Sequence, residues 1–132
     1  MSGFPEEFFY KLYFTPAQLA SYLKATKHTL RIAEESDVAE VIFEFAYNAL
    51  IKYGITLIAQ NGYRVRSVPG HHVQIIEKLS DLLGEKEIKD IGNKMRKIRN
   101  FDLYGGGILI THKNAIGYLK FVQSIFKFGS GL

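Results

Sequence analysis

The chain has 132 residues, enough for one domain with a single core. Its hydrophobic fraction of 47% excludes a disordered chain, and the absence of cysteine excludes disulfides, thiolate zinc sites and cysteine nucleophiles. The formal net charge is +4, and residues 86–99 carry six lysines and arginines against two acidic residues. Such a concentration of positive charge favours an anionic partner, although a basic helix face also serves solubility alone.

The first residues of the chain show no targeting pattern. The first 14 residues mix aromatic and charged side chains, unlike a signal peptide. The most apolar run, residues 38–59, is interrupted by charged and polar residues and predicts a buried helix rather than a membrane span. We therefore expect a cytoplasmic protein that makes no contact with a membrane.

Several aromatic residues near the N-terminus are too numerous for a free tail, and we expect them to dock on the domain or on another subunit. They are Phe4, Phe8, Phe9, Tyr10, Tyr13 and Phe14.

Apolar residues recur at spacings of three and four along most of the chain, which predicts helices. Thr15 followed by Pro16 is a helix-start signal, so the first helix is predicted to span residues 16–35. Ser36 or Asp37 is predicted to cap a second, mostly apolar helix that ends at Asn61.

The second helix has one polar line, formed by Glu40, Glu44, Asn48 and Lys52 at intervals of four. Asn48 and Lys52 are the candidates for function on this line. The alternative is that the line only faces solvent.

Residues 63–70 show no apolar period and are predicted to form a loop. Three further helices are predicted, one from His71 to the stop at Gly84, one over residues 85–103, and one that begins at Thr111 and ends near Gly129. Short connections favour antiparallel packing, so the expected fold is a single all-α domain over residues 1–132, a four- or five-helix up-and-down bundle without internal repeats.

The helix over residues 85–103 carries the candidate site. Continuing its apolar stripe from Ile98 leads to Asp102, and Arg99 lies three residues before that carboxylate. Arg99 and Asp102 can pair and satisfy each other. In the functional alternative, Arg99 holds a phosphate with its planar guanidinium while Asp102 orients it.

Asn100 and Tyr104 are four residues apart on the side of the same helix that faces away from the apolar stripe, where Lys97 also lies. A base or a second subunit stacking there would explain an exposed tyrosine, and ordinary surface is the alternative. The three glycines from Gly105 predict a helix stop and allow a bend.

His71 and His72 form the one histidine cluster, but adjacent helical residues point about 100° apart, which is poor geometry for a metal. We predict no metal and no cofactor. The two histidines, His72 among them, are expected to pack at the helix start under the loop that precedes them or to contribute to a cleft.

Three segments in this order resemble a HEPN domain. The first is Ala46-Tyr47-Asn48-Ala49-Leu50, the second runs from Gly62-Tyr63-Arg64 to His72, and the third is Arg99-Asn100-x-Asp102-x-Tyr104-Gly105. Their order and spacing are similar to those of small stand-alone prokaryotic HEPN proteins. The resemblance implies a helical bundle that forms a homodimer, with the arginine-bearing helix lining a cleft at the dimer interface.

The resemblance also implies an RNA- or nucleotide-binding protein without strong catalysis. Its ligand-binding residues would be Arg99, Asn100, Tyr104, Arg96, Lys97 and Asn48, with Asp102, Tyr47 and His72 as structural support. Many similar proteins are metal-independent ribonucleases with a histidine after the arginine, and here Tyr104 stands in that position. A ribonuclease toxin of a toxin-antitoxin pair, with Arg99 and Tyr104 as catalytic residues, is therefore one alternative, although a phenol titrates far above neutrality. A non-catalytic partner of a minimal nucleotidyltransferase is the other.

Overall fold

A computed structural model describes residues 3–105 and 110–130, with the side chains of all these residues except 102–105 and 128–130. It confirms the predicted all-α helical bundle. The five helices are α1 (Pro16–Glu35), α2 (Ala39–Gln60), α3 (His71–Leu83), α4 (Lys86–Gly105) and α5 (His112–Ser130).

The core is built around α2, which contacts each of the other four helices. Tyr47, Ala49 and Leu50 on this helix are fully buried, as the apolar character of its sequence predicts. By length and composition α2 is also apolar enough to cross a membrane, and most of that stretch is buried inside the bundle. The burial of α2 on several sides is the expected behaviour of a core helix.

Two of the predicted helix starts are confirmed in atomic detail. The Thr15 hydroxyl accepts a hydrogen bond from the Gln18 backbone N–H at 3.1 Å, and the Gln18 side chain accepts one from the Thr15 N–H at 2.8 Å. The Thr111 hydroxyl likewise accepts from the backbone N–H of Asn114 at 3.0 Å.

The predicted cap of the second helix is wrong. Val38 occupies the N-cap position and offers no side-chain hydrogen bond to α2. The Ser36 hydroxyl instead accepts a hydrogen bond from the Val38 N–H at 3.1 Å. This bond lies within the segment between α1 and α2 and does not involve the N–H groups of the first turn of α2.

The prediction of a loop over residues 63–70 is wrong for its first three residues. Tyr63–Val65 forms a strand, β2, which pairs antiparallel with β1 (Phe9–Lys11). Phe9 lies opposite Val65 and Lys11 opposite Tyr63. The ribbon fixes the chain that leads from α2 into α3.

The same ribbon anchors the N-terminal segment on the bundle, as its aromatic content predicts. Phe9 is buried, and the Lys78 ammonium group of α3 lies 4.6 Å from the Phe4 ring centre and 5.7 Å from that of Phe9. Lys78 also donates a hydrogen bond to the Gly3 carbonyl. Tyr13, in contrast, is 78% exposed and takes no part in this anchoring.

Candidate functional site

A cleft of about 590 Å³ lies between the start of α3 and the C-terminal half of α4. One wall is the turn after β2 together with the first residues of α3, and the other is α4. The lining residues are Ser67, Val68, Pro69, Gly70, His71, His72, Val73, Arg96, Arg99 and Asn100. We call this space the α3–α4 cleft.

The turn that forms the first wall depends on Gly70. This residue is the N-cap of α3 and has a φ of 82°, a left-handed backbone conformation that residues with a Cβ rarely adopt. The turn places His71 and His72 at the first positions of α3. No side chain caps this helix, so its first-turn N–H groups add positive partial charge to the wall.

Arg99 lies on the opposite wall and is held by two residues of α2. Its Nε donates to Glu44 Oε2 at 3.1 Å, and its guanidinium carbon lies 5.7 Å from the centre of the Tyr47 ring. The Arg99 side chain remains 29% exposed and the Glu44 side chain 38%. Arg99 is therefore oriented by the bundle and still accessible from the cleft.

Arg96 and Asn100 lie one turn before and one residue after Arg99 on the same wall. The Arg96 Nε donates to the Asn93 side-chain oxygen at 3.1 Å, which orients the guanidinium group within α4. Asn100 is half-buried and faces the cleft. Two guanidinium groups and one amide thus share a single surface.

Beneath this surface, Tyr47 links the two walls. Its ring is fully buried, its face is turned to Arg99, and its hydroxyl lies 2.9 Å from Nδ1 of His72. One side chain from the central helix therefore sets the position of a residue on each wall.

Both members of the Tyr47–His72 pair are held neutral. Burial raises the pKa of Tyr47 to about 12, against the opposing effect of the Arg99 and Arg96 charges. Burial lowers the pKa of His72 to about 4, and the charges of His71, Arg99 and Arg96 lower it further. At neutral pH the imidazole of His72 is therefore uncharged.

No protein-family model matches the chain, and no curated protein or solved structure does so. What the chain does has to be inferred from the α3–α4 cleft itself.

The structure brings four of the predicted site residues to the cleft, namely Arg96, Arg99, Asn100 and His72. Tyr47 lies directly beneath them, with its hydroxyl against His72, and its predicted supporting role stays a prediction. The side chains of Asp102 and Tyr104 lie outside the described residues, so the predicted Arg99–Asp102 pair and the stacking role of Tyr104 stay predictions.

Two predicted ligand-binding residues lie elsewhere. Asn48 is half-buried on α2 and Lys97 is exposed on α4, and neither lines the cleft. Lys52, which shares the polar line of Asn48, donates to the Thr29 hydroxyl at 2.9 Å and so connects α2 to α1.

Sequence reasoning missed Glu44 as the partner of Arg99 and underrated His71. Glu44 was visible in the polar line of α2, but its spacing does not reveal which helix it faces. The sequence predicts His71 as a residue at the helix start that packs under the preceding loop, and it does not predict the contact of its ring with the Val68 carbonyl. Among the described residues, no group of three or more His, Asp or Glu side chains could hold a metal ion.

The side chains of the α3–α4 cleft can donate several hydrogen bonds to one anion at the same time. The guanidinium groups offer planar forks that match phosphate oxygens. The neutral imidazole of His72 beside them can form a hydrogen bond with another part of the same ligand.

Proposed function

We propose that the chain binds RNA or a nucleotide through the phosphate, held in the α3–α4 cleft, as a HEPN-like helical bundle without strong catalysis. The observation that carries the proposal is the meeting of Arg96, Arg99 and Asn100 on one wall with His71 and His72 on the other. These two groups of residues are distant in sequence, and the three side chains on the wall of α4 share the ability to donate hydrogen bonds to an anion.

The pairing of Arg99 with Glu44 supports this proposal. A guanidinium group has five N–H donors, and the bond to Glu44 uses Nε, on one side of the planar group. The Glu44 carboxylate thus orients the Arg99 guanidinium group and neutralises part of its charge. A phosphate would compete with Glu44 for the same cation, which keeps binding reversible.

The test is fluorescence anisotropy with a labelled single-stranded RNA, with adenosine monophosphate and inorganic phosphate as competitors. We expect Arg99→Ala to weaken RNA binding by about tenfold or more, because a charged hydrogen bond contributes roughly 1.5–3 kcal/mol. Glu44→Gln should strengthen binding, because it removes a negative charge beside Arg99.

Lys94→Ala is the matched control. Lys94 is exposed on α4 and does not line the cleft, so its removal takes the same charge from the same helix elsewhere. Equal losses in Arg99→Ala and Lys94→Ala would show that binding follows net charge alone and would contradict the proposed cleft. The Lys97→Ala and Asn48→Ala variants test the two predicted residues that lie outside it.

A metal-independent ribonuclease is the second candidate, and the position of the histidines favours it. His71 and His72 line the cleft opposite Arg99, and imidazole is the side chain that most often transfers protons in such chemistry. Incubation of the labelled RNA with EDTA separates the two functions. RNA that stays intact supports the binder, and cleavage that disappears in Arg99→Ala supports the enzyme.

A homodimer belongs to the same proposal, since the resemblance implies that two copies meet at the cleft. Phe101 supports it because this large apolar side chain is 58% exposed on α4, next to Asn100. Light scattering of the wild type and of Phe101→Ser tests this interface, and a monomeric wild type would contradict it.

A further inference from the structure

The two histidines of the α3–α4 cleft have hydrogen-bond partners that fix opposite tautomers. Both rings form a hydrogen bond through Nδ1. The partner of His71 is a carbonyl oxygen, which can only accept a hydrogen bond, and the partner of His72 is a hydroxyl group that has to donate one. The consequence is a pair of Nε2 atoms with opposite hydrogen-bonding character, side by side in the cleft.

His71 is anchored to a backbone carbonyl. Its Nδ1 lies 3.1 Å from the Val68 oxygen, and a carbonyl oxygen only accepts hydrogen bonds. In the neutral form of this ring the proton is therefore on Nδ1, and Nε2 carries a lone pair. This atom is a hydrogen-bond acceptor.

His72 is anchored to Tyr47. The described residues give the Tyr47 hydroxyl one hydrogen-bond partner, which is Nδ1 of His72 at 2.9 Å. Because Tyr47 is fully buried, a hydroxyl hydrogen without an acceptor would carry the cost of an unsatisfied buried donor. Tyr47 therefore donates to Nδ1, the proton of the neutral ring is on Nε2, and this atom is a donor.

Both Nε2 atoms are open to a ligand. The described residues provide no hydrogen-bond partner for either atom, and no buried side-chain nitrogen or oxygen among them lacks a partner. Solvent must therefore reach both atoms, and both residues line the cleft. The rings lie edge to face with their centres 4.7 Å apart, so adjacent groups of one ligand can contact the two rings.

We propose that His71 and His72 form a recognition pair that selects ribonucleotides over deoxyribonucleotides, with His71 Nε2 accepting a hydrogen bond from a ribose hydroxyl while His72 Nε2–H and the arginines hold the neighbouring phosphate. A phosphate only accepts hydrogen bonds at neutral pH, so it has no use for the His71 lone pair. A hydroxyl beside it supplies the missing donor, and the 2′-hydroxyl is the group that distinguishes RNA from DNA. Tyr47 acts as a positioning residue by fixing the His72 tautomer. This inference rests on the proposed function, since it assumes that a nucleic acid or nucleotide occupies the cleft.

The first experiment determines the tautomers in the free protein. Nitrogen-15 NMR of the imidazole rings at pH 8 should show the proton on Nδ1 of His71 and on Nε2 of His72. In Tyr47→Phe, His72 should change to a mixture of tautomers while His71 stays as it is. A proton on Nε2 of His71, or on Nδ1 of His72, would overturn the inference whatever the protein binds.

The second experiment compares a labelled adenosine oligonucleotide in its ribo and deoxyribo forms. We expect the wild type to prefer the ribo form by about fivefold, the effect of one hydrogen bond of about 1 kcal/mol. His71→Phe should lose this preference by weakening RNA binding and leaving DNA binding unchanged. His28→Phe is the control, because His28 is exposed on α1 away from the cleft and its replacement should leave the preference intact.

The outcomes separate the two proposals. Equal binding of both oligonucleotides that still depends on Arg99 would overturn the recognition pair and leave the phosphate-binding function standing. Binding of neither oligonucleotide and of no adenosine monophosphate, or binding that does not depend on Arg99, would overturn both.

Discussion

Tyr47 shows how one buried residue determines the properties of a surface that it does not itself reach. Its hydroxyl contacts His72 and its ring faces Arg99, so it connects the two walls of the α3–α4 cleft from below. Its environment also explains why a histidine surrounded by His71, Arg96 and Arg99 stays uncharged. Any change in the protonation of His72 should therefore be visible in the stability of the whole fold.

We expect His72 to make stability depend on pH between about 6.5 and 4. Its pKa is 6.5 when unfolded and about 4 in the fold, so in this window the unfolded chain binds more protons than the native one. The contribution of neutral His72 is therefore complete above pH 6.5 and decreases as the pH falls, by roughly 2 kcal/mol after allowance for its partial exposure. Urea unfolding at pH 7, 5.5 and 4 measures this change.

The His72→Gln variant isolates this contribution from that of the carboxylates. It should be less stable than the wild type at pH 7, by about 1 kcal/mol for the lost Tyr47 hydrogen bond, and the difference should shrink or reverse at pH 4. A difference that is constant across the pH range would contradict the assignment.

At the level of single elements, helices with local start and stop signals were predictable and contacts between distant segments were not. The bounds predicted for α1 match the structure because Thr15 and Pro16 define its start locally. The pairing of β1 with β2 joins segments more than fifty residues apart, and strands of three residues have too few positions to show an alternating pattern. The same limit applies to the site. Charge density pointed to Arg99, but only packing brings Glu44 and His71 to it.

Close packing of α2 on α3 depends on Gly54. A Cβ at this position would lie 2.5 Å from Ile75 Cγ2 and 3.4 Å from the Ile75 carbonyl oxygen, and Ile75 is itself buried. We expect Gly54→Ala to destabilise the protein by about 1–3 kcal/mol, because the clash outweighs the better helix propensity of alanine. Thermal and urea unfolding measure the change.

Gly117→Ala provides a control of opposite sign. Gly117 lies in α5, and a Cβ added there would meet nothing within 4 Å, so alanine should stabilise the helix by up to about 1 kcal/mol. If both variants stabilised the protein, helix propensity would outweigh any clash, and the close α2–α3 contact at Gly54 would be contradicted.

For the molecule as a whole, the N-terminal segment is part of the folded domain. It supplies β1, covers Lys78 with two aromatic rings and holds the chain that leads to the turn at Gly70. The number of aromatic residues predicts that this segment docks, but it does not predict which surface the aromatic side chains cover.

Two substitutions on this segment should therefore differ in effect. Phe9→Ala should cost about 3–5 kcal/mol, because Phe9 is 1% exposed and its removal leaves a cavity beside Lys78. Tyr13→Ala, at a residue that is 78% exposed, should change stability by less than about 0.5 kcal/mol. Similar losses in both variants, measured by urea unfolding, would show that the segment does not dock as described.

The division of the α3–α4 cleft between two helices that pack on each other and on α2 has a practical consequence. A compound that bridges the start of α3 and the arginines of α4 binds only when both are in place, so its occupancy raises the melting temperature by mass action. Differential scanning fluorimetry against a library of phosphorylated metabolites would then detect binding as a rise in the melting temperature of the untagged protein. A hit whose effect disappears in Arg99→Ala would identify a phosphorylated compound that binds in the cleft.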